Sequence, residues 1–153
     1  MMKSKKDNIA EYILYLWQME DYLRAFPEQA DATPELRELN EMMHREGVME
    51  TGHLQLAKNA LRELEELHQS IFNEDALYRA AAMRLTPQLN LLKAKTDRPT
   101  MSDIEACLLL LYQIMLLRLQ KKEISAETTS VQTQVTQLLQ FLSRTYHDSQ
   151  TAI

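Results

Sequence analysis

One stretch, Ile104 to Leu119, constrains the fold of this chain more than any other. It reads IEACLLLLYQIMLLRL, and from Cys107 to Leu119 its apolar run is interrupted only by Tyr112, Gln113 and Arg118. At about 100° per residue, the apolar side chains of such a helix point in nearly every direction, so the helix must be covered nearly all round. The stretch is shorter than the roughly 20 apolar residues of a membrane span. It therefore predicts the central helix of a soluble helical bundle.

The composition favours the same fold class. The chain has 153 residues with only two glycines and four prolines, too few for the many tight turns of a sheet protein. Good helix formers dominate it. We therefore expect an all-α, five- to six-helix, mostly antiparallel bundle around a central apolar helix at about 103–122. Residues 1–153 are expected to form a single helical domain, with flexible ends at 1–7 and 148–153.

Capping residues predict where the helices begin. Asn8 and Ser102 each precede a glutamate at the third position, and Thr33 is followed by a proline at the first helical position. A third helix is expected from His53 to about Phe72 and a fourth from a cap at Asn73, with a kink or break at Thr86-Pro87. The last helix is expected from about Ala126 to Tyr146.

Charge and cysteine usage bear on compartment and partners. The amino-terminal MMKSKKDN leads into an amphipathic helix rather than a signal-peptide apolar segment, which predicts a cytoplasmic protein without a membrane anchor. The net charge of −5 argues against nucleic acid as a partner. The single cysteine, Cys107, excludes an intramolecular disulfide and is expected to be a buried apolar residue.

Two Glu-x-x-His pairs resemble the ligand pattern of di-metal bundles: Glu41 with His44, and Glu65 with His68. On a helical wheel the first pair projects away from the apolar face of its helix, into solvent. No further inward glutamate completes the set, so we predict no metal and no cofactor. Neither a nucleophile motif nor a phosphate-binding loop is present in the sequence, which predicts a protein that is not an enzyme.

A polar centre is the better-supported site. Glu20 lies inside the apolar stripe of the first helix, and Arg118 is the only charge within the central run. Because a charge buried alone costs several kcal/mol, we expect these two side chains to pair, directly or through neighbours. The pair is interpreted first as structural. A small-ligand site around it is the alternative, formed by Trp17, Glu20, Arg24, Tyr112 and Arg118.

Three segments resemble a known family: Asn8 to Ala25, Glu46 to Leu56, and Asp103 to Ser125. They are similar to a family of short cytoplasmic bacterial proteins that is described only as a domain of unknown function. The resemblance implies an all-helical fold, no assigned activity and no functional residue to carry over. It also implies a small residue near the position of Gln113 in relatives, so that the polar Gln113 would alter how closely another helix or subunit approaches.

The resulting hypothesis is a non-catalytic helical interaction module that forms a homodimer and has an unidentified protein partner. The apolar perimeter of the central helix is wider than one bundle readily covers, and nine methionines suit an adaptable contact surface. The expected interface comprises Leu109, Gln113, Leu116 and Leu117. The alternatives are a small-ligand-binding bundle and, least favoured, a metal-binding bundle.

Overall fold

The computed structural model describes residues 4–152, which form six α-helices and one short 3-10 helix, with no strand in that range. The α-helices are α1 (Ile9–Ala25), α2 (Pro34–Glu46), α3 (Gln55–Glu74), α4 (Ala76–Ala94), α5 (Asp103–Leu119) and α6 (Ala126–Thr151); the 3-10 helix is Pro27–Gln29. The predicted all-α class with five to six helices is confirmed. Among residues 4–152, no helix combines the length and the apolar character needed to cross a membrane.

The predicted caps form at three helix starts. The side chains of Asn8, Thr33 and Ser102 each accept a hydrogen bond from the backbone N–H three residues later, at 3.1 Å. At the other end of α2, Gly47 has φ +69, the left-handed conformation that closes many helices and that glycine adopts without strain. Short-range side-chain chemistry therefore fixes these boundaries.

The junction between α3 and α4 corrects the prediction. α4 is capped by Asp75, whose carboxylate accepts the Tyr78 N–H at 3.0 Å, and not by Asn73. Asn73 lies inside α3, where its side chain accepts a hydrogen bond from Gln69 one turn earlier. Both residue types cap helices, and this local hydrogen bond keeps Asn73 in the helix.

Two further boundaries differ from expectation. No break occurs at Pro87, since α4 continues through this exposed position without the hydrogen bond that proline cannot donate, and the alternative of a kink there stays a prediction. α6 was expected to end at Tyr146 and continues to Thr151, with the Ser149 and Thr151 hydroxyls bonded to backbone carbonyls one turn back. The single domain and the flexible ends stay predictions, and residues 1–3 and 153 lie outside the described part.

The chain divides into two compact units, residues 1–62 and 63–153. In the first unit α1 contacts α2, and its fully buried side chains include Ile9, Ile13, Leu16, Leu23, Met43 and Leu54. In the second unit α4, α5 and α6 contact one another, around Leu85, Leu89, Ile104, Leu108 and Leu142. Within α5 the buried residues end at Ile114, and Leu116 and Leu119 are exposed.

Candidate functional site

The most deeply buried charged side chain described in the first unit is Glu20, which is 1% exposed. One carboxylate oxygen lies 2.7 Å from Nδ1 of His53, and the other accepts the Leu54 N–H at 2.7 Å. The carboxylate points inward, as expected, and each of its oxygens has a hydrogen-bond partner. Those partners come from the segment that precedes α3.

The His53 ring is held from two sides. Trp17, one turn before Glu20 on α1, stacks on it with ring centroids 5.1 Å apart and an interplanar angle of 24°. The His53 side chain remains 38% exposed, whereas Trp17 is buried. α1 therefore fixes the orientation of a half-exposed imidazole.

The third α1 residue of this group, Arg24, binds the α2–α3 loop (residues 47–54). Its Nη2 donates to the carbonyl oxygens of Val48 and Gly52, at 2.8 and 2.6 Å. Its Nη1 binds Asp21 at 3.1 Å. Gly52 has φ +91, a conformation that other residues rarely adopt, so the loop has this path only with glycine there.

A carboxylate bound to one nitrogen of an imidazole is the arrangement that orients general bases and metal ligands in enzymes. Here the second carboxylate oxygen is bound to the backbone, and Arg24 is bound to two carbonyls. Most polar atoms of Glu20 and Arg24 thus hold the α2–α3 loop against α1. The arrangement leaves the outer edge of His53 as the part of this site available to solvent.

The other two predicted site residues lie in the second unit. Arg118 is exposed and donates to the Gln132 side chain of α6 at 2.9 Å, so the premise that it is a buried charge is wrong. Tyr112 is buried within α5. Glu20 has both oxygens bound inside its own unit, and neither charge needs the predicted Glu20–Arg118 pair. His53 is the partner that sequence reasoning missed, because no local pattern links it to a residue 33 positions earlier.

The two Glu-x-x-His pairs lie in different surroundings. Glu41 and His44 are exposed on α2, as their wheel positions predicted. In the second unit, Glu65 accepts a short hydrogen bond from the Ser102 hydroxyl, and Nδ1 of His68 lies 2.6 Å from the Tyr78 hydroxyl. Within residues 4–152, no three candidate ligands lie close enough to hold a metal ion.

A polar cluster surrounds this second pair. It lines a cavity of about 260 Å³, formed by Glu65, His68, Gln69, Phe72, Ser102, Asp103 and Ile104. Lys93 binds Asp103 at 2.6 Å, so one carboxylate of the lining is neutralised. Burial lowers the pKa of His68 and raises that of Cys107 to about 12, which keeps the imidazole and the thiol neutral at pH 7. A neutral buried thiol is a poor nucleophile. The hydrogen bonds and the ion pair of this cluster join residues within the chain.

Three large apolar side chains are exposed on α4 and two, Leu116 and Leu119, on α5. Leu77 is 84% exposed, Leu91 61% and Met83 58%. A groove of about 440 Å³ runs between α4 and α6, lined by Leu77, Tyr78, Ala81, Leu85, Leu138 and Phe141 with Asp75, Arg84, Gln134 and Gln137. Of the predicted α5 interface, Gln113 and Leu116 are exposed, and Leu109 and Leu117 are half-buried.

The comparisons with known proteins identify a family without an assigned activity. The model of a domain of unknown function, DUF4924, matches residues 1–35 and 28–152. The chain belongs to this family. Neither a curated protein nor a solved structure matches it. Membership in DUF4924 agrees with the resemblance seen in the sequence and transfers no functional residue.

Proposed function

We propose that this chain is a non-catalytic helical interaction module that self-associates. The observation that carries the proposal is the apolar outer face of α4, defined by Leu77, Met83 and Leu91. Single exposed apolar residues are common on any protein surface, but three on the outer side of one helix, within about 120° of its circumference, are typical of a contact surface.

The lack of charge on this face supports the proposal. Eleven residues of α4 are exposed, and only Arg84 among them is charged, although charged residues make up 25% of the chain. Charged side chains are depleted at the centres of protein–protein interfaces. An outer helix face kept in water would normally carry several of them.

The neighbouring helix shows the same depletion. Residues 128–143 of α6 contain no charged side chain over 16 positions. Phe141, in this run, is exposed and lines the groove beside α4. A neutral apolar surface does not repel its own copy, which suits the self-complementary interface of a two-fold dimer.

Small-ligand binding at Trp17, Glu20 and Arg24 has less support. The Glu20 oxygens and the Nη atoms of Arg24 already bind the chain itself, and Trp17 is buried beneath His53. A ligand would have to replace those hydrogen bonds with equivalents before it gained affinity.

Light scattering after size-exclusion chromatography, over a wide concentration range, tests self-association. We expect a dimer for the unmodified protein and a monomer for Leu77→Arg, which buries a charge in the contact. Leu77 is 84% exposed in the single chain, so the substitution creates no cavity and the fold is retained.

The matched control is Leu116→Arg, which places the same charge on the α5 surface predicted from the sequence. We expect this variant to remain dimeric. If only Leu116→Arg dissociates, the contact lies on α5. A monomer for the unmodified protein at every concentration contradicts the proposed function.

A further inference from the structure

We propose that α4 pairs antiparallel with α4 of a second copy, about a two-fold axis beside Ala80 and Ala81. This inference rests on the proposed self-association and specifies its geometry. The occupant of the α4 face is thus a second copy of this chain, and the contact is the same on both copies.

The positions of small side chains locate the axis. Ala80 and Ala81 are exposed and lie on the same side of α4 as Leu77 and Arg84, since residues three and four apart are neighbours on a helix. Two alanines at a crossing point let helix axes approach to about 8 Å, the short end of the usual range. Bulkier exposed side chains, Leu77 and Arg84, stand on either side of them.

The antiparallel direction follows from which side chains of the two copies then lie opposite each other. Around an axis between Ala80 and Ala81, Leu77 of each copy lies opposite the aliphatic stem of the other copy's Arg84. The guanidinium then extends past Leu77 toward the amino-terminal end of the other α4, where Glu74 and Asp75 are exposed. Residues two or three positions apart along a helix differ by about 3–5 Å in height, which is within reach of an arginine side chain.

Charge complementarity favours this register over a parallel one. Within residues 4–152, the side chain of Arg84 makes no hydrogen bond or ion pair, although it lies on an otherwise uncharged face. The antiparallel pair gives both Arg84 side chains an acidic partner. A parallel pair would place Arg84 beside Arg84, and like charges in contact destabilise an interface.

Cysteine cross-linking tests the register. Ala80→Cys and Ala81→Cys place thiols beside the axis, within the Cα separation that a disulfide requires, and we expect at least one of them to form a covalent dimer under mild oxidation. Ala94→Cys, exposed on the same helix, lies about 20 Å further along it and should not cross-link. The unmodified chain controls for Cys107, which is buried.

The outcomes separate this inference from the proposed function. A dimer by light scattering without a cross-link at 80 or 81 overturns the register and leaves self-association standing. Cross-links at both 80 or 81 and 94 show a parallel pair and overturn the antiparallel arrangement. A monomer by light scattering removes the proposed function and this inference together.

A charge reversal supplies a second measurement. Arg84→Glu faces the acidic end of the other α4, so we expect the dimer dissociation constant to rise about tenfold at low salt, with a smaller rise at high salt. The matched control is Arg144→Glu on exposed α6 surface outside the contact, which should leave the constant unchanged. Equal effects of the two variants would overturn the role of Arg84.

Discussion

At the scale of single residues, Glu20 is the side chain whose replacement should cost most without a change in volume. Glu20→Met keeps the volume but removes both acceptor oxygens, so the buried Leu54 N–H loses its partner and the His53 ring loses its hydrogen bond. We expect the free energy of unfolding in urea to fall by about 1–3 kcal/mol. Glu38→Met, on exposed α2 surface, should change it by less than about 0.5 kcal/mol. Equal effects would contradict the structural role of the Glu20 carboxylate.

A second prediction at this scale concerns His68 and the pH dependence of the free energy of unfolding. Burial lowers its pKa below the ordinary 6.5, against the opposing charge of Asp103. The unfolded chain therefore binds a proton at a higher pH than the folded protein does. Its contribution to stability is complete above pH 6.5 and decreases as the pH falls from there toward the folded pKa, by at most about 1.4 kcal/mol per pH unit.

Urea unfolding at several pH values between about 7.5 and 5.5 measures this slope. His68→Gln removes the titrating group while keeping a side chain that can bind the Tyr78 hydroxyl, so we expect a flatter profile. His44→Gln, which removes an exposed histidine of α2, should keep the slope of the unmodified protein. A slope that His68→Gln leaves unchanged would assign the pH dependence to other groups.

At the scale of helices, Pro87 inside α4 should lower stability. Proline has no N–H to donate to the carbonyl of Met83 one turn earlier, and a proline in a helix interior costs about 3 kcal/mol relative to alanine. Because residue 87 is exposed, Pro87→Ala creates neither a cavity nor a clash, and we expect thermal unfolding at a higher temperature. The similarly exposed Gln88→Ala should shift it far less. A lower melting temperature for Pro87→Ala would mean that α4 depends on a bend at this residue.

At the scale of helices, local features could be predicted from the sequence and contacts between distant segments could not. Capping depends on side chains within three residues, so the caps at Asn8, Thr33 and Ser102 were predictable from the local sequence alone. The contact between Glu20 and His53 depends on packing between distant segments, which no periodicity encodes. The α4 surface was missed for a related reason: a wheel cannot tell which side of a helix faces water when apolar residues such as Met83 and Leu85 occur on opposite sides.

At the scale of the whole molecule, self-association should make thermal stability depend on protein concentration. A dimer that dissociates on unfolding is favoured by mass action, and each tenfold rise in concentration adds about 1.4 kcal/mol per dimer. For two chains of 153 residues the entropy of unfolding converts this to a rise of about 2 °C in melting temperature. Leu77→Arg, which removes the contact, should melt at one temperature at every protein concentration. Differential scanning calorimetry over a hundredfold range of protein concentration measures this dependence. A melting temperature of the unmodified protein that does not change with concentration would mean that its folded state is a monomer.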